Sequence, residues 1–463
     1  MKNHLRKTFI LVFCFVCVGC ASIAQKKRFE AYNNSFLVGN YLEAASIELE
    51  NKSNKKNNPS DLLITLQGGA ALRYAKKYSD STAIFDESEA IIKKHNEELL
   101  LKSAGSQVGS VLWNDTAMDY KASEYDGIMV NTYKGMNFWQ QGDFDLARVE
   151  FNRALERQRR AKERFAEEIA EYKKGIEEKE KKNNKANISA NLNNPLLHKG
   201  IESNYSNLKD FKAYPDFINP FTTYISGLFF MSQGDYQKSS TLLKQSFGMV
   251  DHNEFVENDF ELIEYLANGG KNVKNYTWVI IENGLGPVKE EFRVDLPIGF
   301  LTNRVKYTGI ALPKLKLRDL SYKSLNISSN EQKSIQSSVL ASMDRVVQTE
   351  FDKRYPMIVG RAVMSAAIKT VGQYFAQDQL GSLGGLAVAA YQVASTSTDI
   401  RMWTALPKEF QLAKLKTPKD GVLSISAEGV DLIDITVPKN QSSIVYIKSL
   451  TKSSELTYSV ISM

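Results

Sequence analysis

A glycine and an aromatic residue return at fixed spacing through the first half of this 463-residue chain, and no other feature restricts the fold as much. The phrases VGNYLEAA (38–45), KKYSDSTA (76–83), QGDFDLARVEF (141–151) and QGDYQKSSTLL (233–243) each set an aromatic after a two-residue turn: Tyr41, Tyr78, Phe144 and Tyr236. Gly69, Gly135 and Gly227 stand nine residues before the last three of these. Ala44 and Ala147 follow Tyr41 and Phe144 by three, and Phe85, Phe151 and Leu243 follow their aromatics by seven. The pattern predicts pairs of packed helices. The glycine on the first helix lets the second approach closely, and a small residue on the second serves the same contact. The aromatics are expected to fill the space between them, with Gly-Asp or Gly-Asn making the turn.

This arrangement resembles the tetratricopeptide repeat, a helix–turn–helix unit of about 34 residues. The match is strongest over 128–158 and 221–248 and weaker over 60–94. Over 27–50, Tyr32 replaces the glycine. Successive aromatics lie 37, 66 and 92 residues apart, which leaves room for a degenerate unit around 104–127 and requires an insertion at about 160–215. That insertion begins as a highly charged helical run (153–187), read as a solvated helix extension, and continues into the Asn-rich KANISANLNN. Stacked units form a solenoid with a concave surface. Such a surface is expected to bind other proteins; the alternative is that the array is only a spacer.

After residue 270 the periodicity changes. The expected fold class is α+β: an all-α tetratricopeptide-like solenoid over 28–270, followed by a β-rich domain over 271–463 with a helical insertion. YTWVIIEN (276–283) is a buried-strand run, and EEFRVDLPI (290–298) alternates like a partner joined to it through a tight ENGLGP hairpin. Strands are expected across 276–320 and 410–463. Helices are expected across 329–395, broken at Pro356 and ending in the Gly-rich GSLGGLAVAAYQVAS.

The N-terminus carries a different kind of information. Lys2, Arg6 and Lys7 precede an apolar run from Phe9 to Val18, too short to span a membrane and suited to a secretory signal over 1–19. Cys17-Val18-Gly19-Cys20 resembles the lipobox of bacterial lipoproteins, with Cys17 in place of the usual leucine. The resemblance implies lipidation at Cys20, a short tether over 20–27, and a membrane anchor of several acyl chains. Ala21 implies sorting to the outer membrane, with the body facing the periplasm. The chain's three cysteines all lie in this stretch, so the body has neither a disulfide nor a thiol nucleophile.

Candidate chemistry is sparse. Three of the six net positive charges are Lys2, Arg6 and Lys7, and the rest are dispersed, which argues against nucleic acid. His95, His198 and His252 are far apart in sequence, so neither a metal nor a cofactor is expected. ENGLGP lacks the GK[ST] of a phosphate loop. Asp399, Arg401 and Trp403 form either a structural latch or a partner contact. A hydrolase or glycan-modifying alternative would draw on Glu290, Glu291 and Asp295. ENGLGPVKEEFRVDLPI, VKYTGIALPKL, STDIRMWTALPKEFQLAKL and WNDTAMDYKASEYDGIMVNTYKGMNFWQQGDFDLARVEFNRA together resemble a poorly characterised family of proteobacterial lipoproteins with an N-terminal tetratricopeptide-like region. That resemblance implies an envelope location and assembly with protein partners, peptidoglycan-associated proteins among them, and no particular activity.

Overall fold

The computed structural model describes residues 27–54, 62–104, 120–182, 192–193, 195–205, 213–214, 216–250, 252–271, 274–295, 309–367, 370, 396–428 and 430–463. The signal segment, Cys20, most of the tether and of the degenerate unit, the Asn-rich stretch 183–191 and the Gly-rich run 381–395 lie outside them. Four helix pairs are present among the described residues: 27–37 (α1) with Tyr41–Asn54 (α2), Leu62–Tyr74 (α3) with Tyr78–Ala104 (α4), Glu124–Gln141 (α5) with Phe144–Lys182 (α6), and Pro220–Ser232 (α8) with Tyr236–Met249 (α9). A short helix, Pro195–Asn204 (α7), lies between the last two pairs, and Glu254–Ala267 (α10) closes the array.

Each second helix begins on the recurring aromatic. The turn before it needs a left-handed residue, supplied by Gly39, Gly142 and Gly234 at φ 80°, 80° and 74°. In the second pair Lys76 occupies that place at φ 61°. The close contact follows the spacing in the sequence. A Cβ added at Gly69 would lie 2.6 Å from the Phe85 ring; at Gly135, 3.0 Å from Phe151; and at Gly227, 2.8 Å from Leu243. Ala44 and Ala147 are fully buried at the small position. Ser81 and Ser239 hold it in the other pairs, each donating 2.8 Å to the carbonyl of Gly69 or Gly227. One expectation is corrected. Tyr41 is buried, but Tyr78 is half-buried, and Phe144 and Tyr236 are 43% and 36% exposed. In the last three pairs the first residue of the second helix sits at the rim of the turn, and the space between helices is filled by Phe85, Phe151 or Leu243 seven positions later; in the first pair that later position is Glu48, and Tyr41 itself is buried.

The strands are β1 (Tyr276–Asn283), β2 (Val288–Asp295), β3 (Gly309–Lys316), β4 (Asn326–Ser329), β5 (Gln332–Gln336), β6 (Ser338–Ser342), β7 (Glu409–Lys416), β8 (Val422–Ala427), β9 (Val430–Thr436), β10 (Ser443–Ser449) and β11 (Thr457–Ser462). They form a five-stranded sheet in the order β11-β10-β1-β7-β6, a four-stranded sheet β5-β4-β8-β9 and the pair β2-β3. β1 is central, parallel to β10 and antiparallel to β7, which explains its unbroken apolar run.

Three expectations fail here. ENGLGP is not a hairpin: it carries the chain from the five-stranded sheet to the β2-β3 pair, with the Gly284 and Gly286 amides bonded to the carbonyls of Ser449 and Leu406 at 2.8 and 2.9 Å. Residues 329–342 are strand and turn rather than helix, because their Ser, Asn and Gln residues favour turns and alternate along β5 and β6. The helix that follows, 343–367 (α11), runs through Pro356 without a break. Proline deletes one backbone bond there, and the buried Tyr355, Met357 and Val363 around it hold the helix by tertiary packing.

The five-stranded sheet lies against the first helices of the pairs. All thirteen residues of α3 are buried, and on α8 Phe221 stacks on Phe410 of β7 with centroids 3.6 Å apart. Among the described residues the main hydrophobic core runs from Tyr32 to Ile461, with a small separate cluster of Ala161, Phe165, Phe217 and Met357. The concave face expected to receive a partner is therefore filled by the chain's own sheet.

Candidate functional site

Two buried carboxylates join the sheet to the helices, and both follow the same scheme. Glu282, near the end of β1, is fully buried. It accepts from Lys448, its register partner on β10, at 2.6 Å. The hydroxyls of Tyr133 on α5 (2.9 Å), Tyr74 on α3 and Tyr446 on β10 donate to it as well. Asp259, on α10, accepts from Lys414 of β7 at 2.6 Å, from the Trp278 indole of β1 at 3.0 Å, and from the Tyr224 hydroxyl of α8. In each clasp a lysine from a neighbouring strand neutralises the charge, and phenols from the first helices satisfy the remaining lone pairs.

The electrostatics follow from this geometry. Burial opposes the charge on Glu282, but the Lys448 ammonium and the hydroxyl donors outweigh it and lower its pKa. Burial also lowers that of Lys448, against the attraction of Glu282. Burial, then the neighbouring carboxylate, pushes Tyr74, Tyr133 and Tyr446 well above the ordinary phenol value, so they stay neutral donors.

A third network ties α4, α5 and α6. Lys134, only 1% exposed, meets Asp86 at 2.7 Å and Glu150 at 3.1 Å, and also Glu89. Burial raises the Glu89 carboxyl, but bonds from Lys134 and Asn131 and the charges of Lys134 and Arg157 prevail and hold it at about 2.

A fourth cluster sits at the start of α5. Glu350 of α11 accepts the Glu124 amide at 2.9 Å, which satisfies an orphan donor at the helix N-terminus. Arg354 bridges Glu350 and Glu168, both at 2.8 Å. Burial above all raises Glu124 and Asp126 to about 7, with Glu350 adding repulsion in each case. Asp126 accepts from the Ser123 amide and the Tyr120 hydroxyl, both at 2.8 Å and both through Oδ2, while its Oδ1 is buried without a partner. A neutral acid suits that environment.

This last cluster sets the sign of a pH effect. A carboxyl with a raised folded pKa binds more protons folded than unfolded. Its contribution is complete below the unfolded value near 4 and is lost as pH rises through about 7. The thermal midpoint should therefore fall between about pH 5 and pH 8, and Asp126→Asn, which mimics the protonated form, should flatten that fall. A melting series in which the midpoint rises across this window would exclude the assignment.

The residues singled out in the sequence have definite places. Arg401 grips Asp399 with two parallel bonds of 2.8 and 2.9 Å. Trp403 is buried, edge-on to Phe85 of α4 and Tyr133 of α5, both 6.0 Å away. The segment thus inserts an indole into the helical array. Glu290 pairs with Lys316, while Glu291 and Asp295 are exposed, so these carboxylates do not converge on a cleft. Among the described residues, no group of three or more His, Cys, Asp or Glu could hold a metal, and no helix is long and apolar enough to cross a membrane. Sequence reasoning missed Glu282, Lys448 and Asp259. The available signal was a charge inside or beside an apolar strand run, as in YTWVIIEN and SIVYIKSL.

The chain is an α+β protein with an N-terminal helical repeat array and a C-terminal strand-rich region. No family model matches it, and no curated protein matches it. Among solved structures, a tetratricopeptide repeat protein from Parabacteroides merdae ATCC 43184 is similar over 52% of this chain and 98% of its own, at 11% identity and a TM-score of 0.15.

Proposed function

We propose that the chain is a lipid-anchored scaffold of the bacterial cell envelope, binding other proteins through the outer surface of its helical array. The observation that carries this is the distribution of exposed apolar side chains. The inner face is spent on the sheet, yet seven of the twelve large apolar side chains exposed among the described residues lie on second helices or the turns before them: Val38, Leu42, Phe144, Leu146, Val149, Tyr236 and Phe247. Side chains of this size concentrated in water on the second helices offer a contact surface for a partner, although Leu196, Tyr265, Leu317, Val339 and Ile400 are exposed elsewhere. The anchor rests on the Cys17-Val18-Gly19-Cys20 sequence, and the outer-membrane assignment on Ala21. Partners would be subunits of an envelope assembly or a secretion machine, or enzymes that build or cut peptidoglycan. The hydrolase alternative loses its support because Glu290, Glu291 and Asp295 do not converge.

Fractionation of a Cys20→Ala variant tests the anchor. The unlipidated chain should leave the membrane fraction or remain unprocessed. A processed variant still on the membrane would remove Cys20 as the tether. A photo-crosslinking residue at Leu146 tests the surface and should give a discrete adduct in intact cells. If no adduct forms there or at Phe144, the outer surface is not the binding face.

A further inference from the structure

Among the described residues the helical array opens with α1, and the outer flank of that helix is bare. Lys27, Ala31, Asn34 and Val38 recur at intervals of four, three and four residues, and all are exposed, so they form one stripe along the flank. Tyr32 and Phe36 point the other way, into the core. Val38, at 75%, is the most exposed large apolar side chain among the described residues, and Leu42, in the first turn of α2, is 54% exposed.

The stripe lies close to where the chain would enter a bilayer. Residues 20–26 separate Cys20 from Lys27, and seven residues reach at most about 25 Å. The stripe itself runs only about 16 Å, so lipid attached at Cys20 is within reach of all of it. In the basic run Lys26-Lys27-Arg28, Arg28 turns inward to Glu48 at 3.2 Å, while Lys27 stays in water. A lysine stem lies readily along an apolar surface with its ammonium at the phosphates. A short tether also makes a second contact intramolecular, at an effective concentration on the order of millimolar. Two apolar side chains too few to hold a free protein on a membrane are then enough to orient an attached one.

We propose that the α1 stripe is a phospholipid-binding face, with Val38 and Leu42 seated at the headgroup–acyl boundary and Lys27 at the headgroup phosphates. Glu30, also exposed, flanks the stripe, and a shallow seat leaves it in water. This rests on the anchor reading. It gives the first helix pair to the bilayer and leaves Phe144, Leu146, Val149, Tyr236 and Phe247 to protein partners.

The lipidated full chain, reconstituted in vesicles of phosphatidylethanolamine and phosphatidylglycerol, tests the contact. No cysteine follows Cys20, so Asn34→Cys and Thr241→Cys each take a single thiol-reactive fluorophore. Both positions are exposed, Asn34 on the stripe and Thr241 on α9. A spin-labelled lipid should quench the Asn34 label at least about twofold and leave the Thr241 label unchanged. Adding Val38→Asp and Leu42→Asp should abolish the quenching while the chain still floats with the vesicles. Both sites are exposed, so the melting temperature should hold. Equal quenching at Thr241 would overturn the orientation, and quenching that survives the two aspartates would overturn the apolar seat. An Asn34 label shielded from iodide yet not quenched by lipid would give the face to a second copy of the chain instead. A chain that floats with its Asn34 label unquenched keeps its anchor and loses this contact, whereas one that does not float loses both.

Discussion

Lys448→Met should destabilise the chain by about 3–5 kcal/mol, the cost of leaving one partner of a buried ion pair uncompensated. Glu282 is fully buried, and Lys448 is 2% exposed, so water cannot replace the lost cation. The three phenols would still donate to the carboxylate, but they carry no charge to balance it. A lower urea midpoint should report the loss. Faster hydrogen exchange along α3 and α5 should show where it falls, because those helices supply Tyr74 and Tyr133. The double variant Glu282→Gln/Lys448→Met should recover more than half, since a neutral amide oxygen still accepts from the phenols. A single variant within about 1 kcal/mol of the parent would show that the ion pair does not hold the halves together.

Gly69→Ala should cost about 1–3 kcal/mol, the usual range for overpacking a filled core. The added methyl would lie 2.6 Å from the Phe85 ring, and that ring has no free direction. Trp403 stands edge-on at 6.0 Å, and Tyr133 stacks at 6.3 Å. The disturbance should therefore reach the 396–407 segment as well as the α3–α4 pair. Gly248→Ala is the matched control. Nothing lies within 4 Å of the new methyl there, and helix propensity should stabilise by up to about 1 kcal/mol. If both alanines behave alike in thermal melts, the close approach at Gly69 is not a packing constraint.

How much of this could be read from the sequence depended on distance along the chain. Gly69 and Phe85 meet across one turn, so their spacing alone revealed the contact. β1 announced itself because a central strand buried on both faces must be apolar throughout. The register of the sheet against the helices left no such mark. Tyr74 finds Glu282 across 208 positions, and Gln67 finds Thr404 across 337. No local periodicity encodes a partner that far away, so the solenoid read as an open groove. Pro356 misled for a related reason: the rule against proline in helices is local, and the packing that overrides it is not. The rims also misled. Tyr41 and Phe144 occupy equivalent positions, yet one is buried and the other exposed, because burial there depends on what packs beyond the pair.

The order of synthesis gives the parallel pairing of β1 with β10 a cost in time. The helices that hold Tyr74 and Tyr133 leave the ribosome long before Lys448, and Thr277 of β1 must wait for Ser443, 166 positions later, to complete the central ladder. Until then the apolar inner surface of α3, α5 and α8 has no cover. Contacts closed across such distances form slowly, and uncovered apolar faces attract other chains meanwhile. A chain built this way leaves the apolar face of its first helices open to other chains until its last strands arrive.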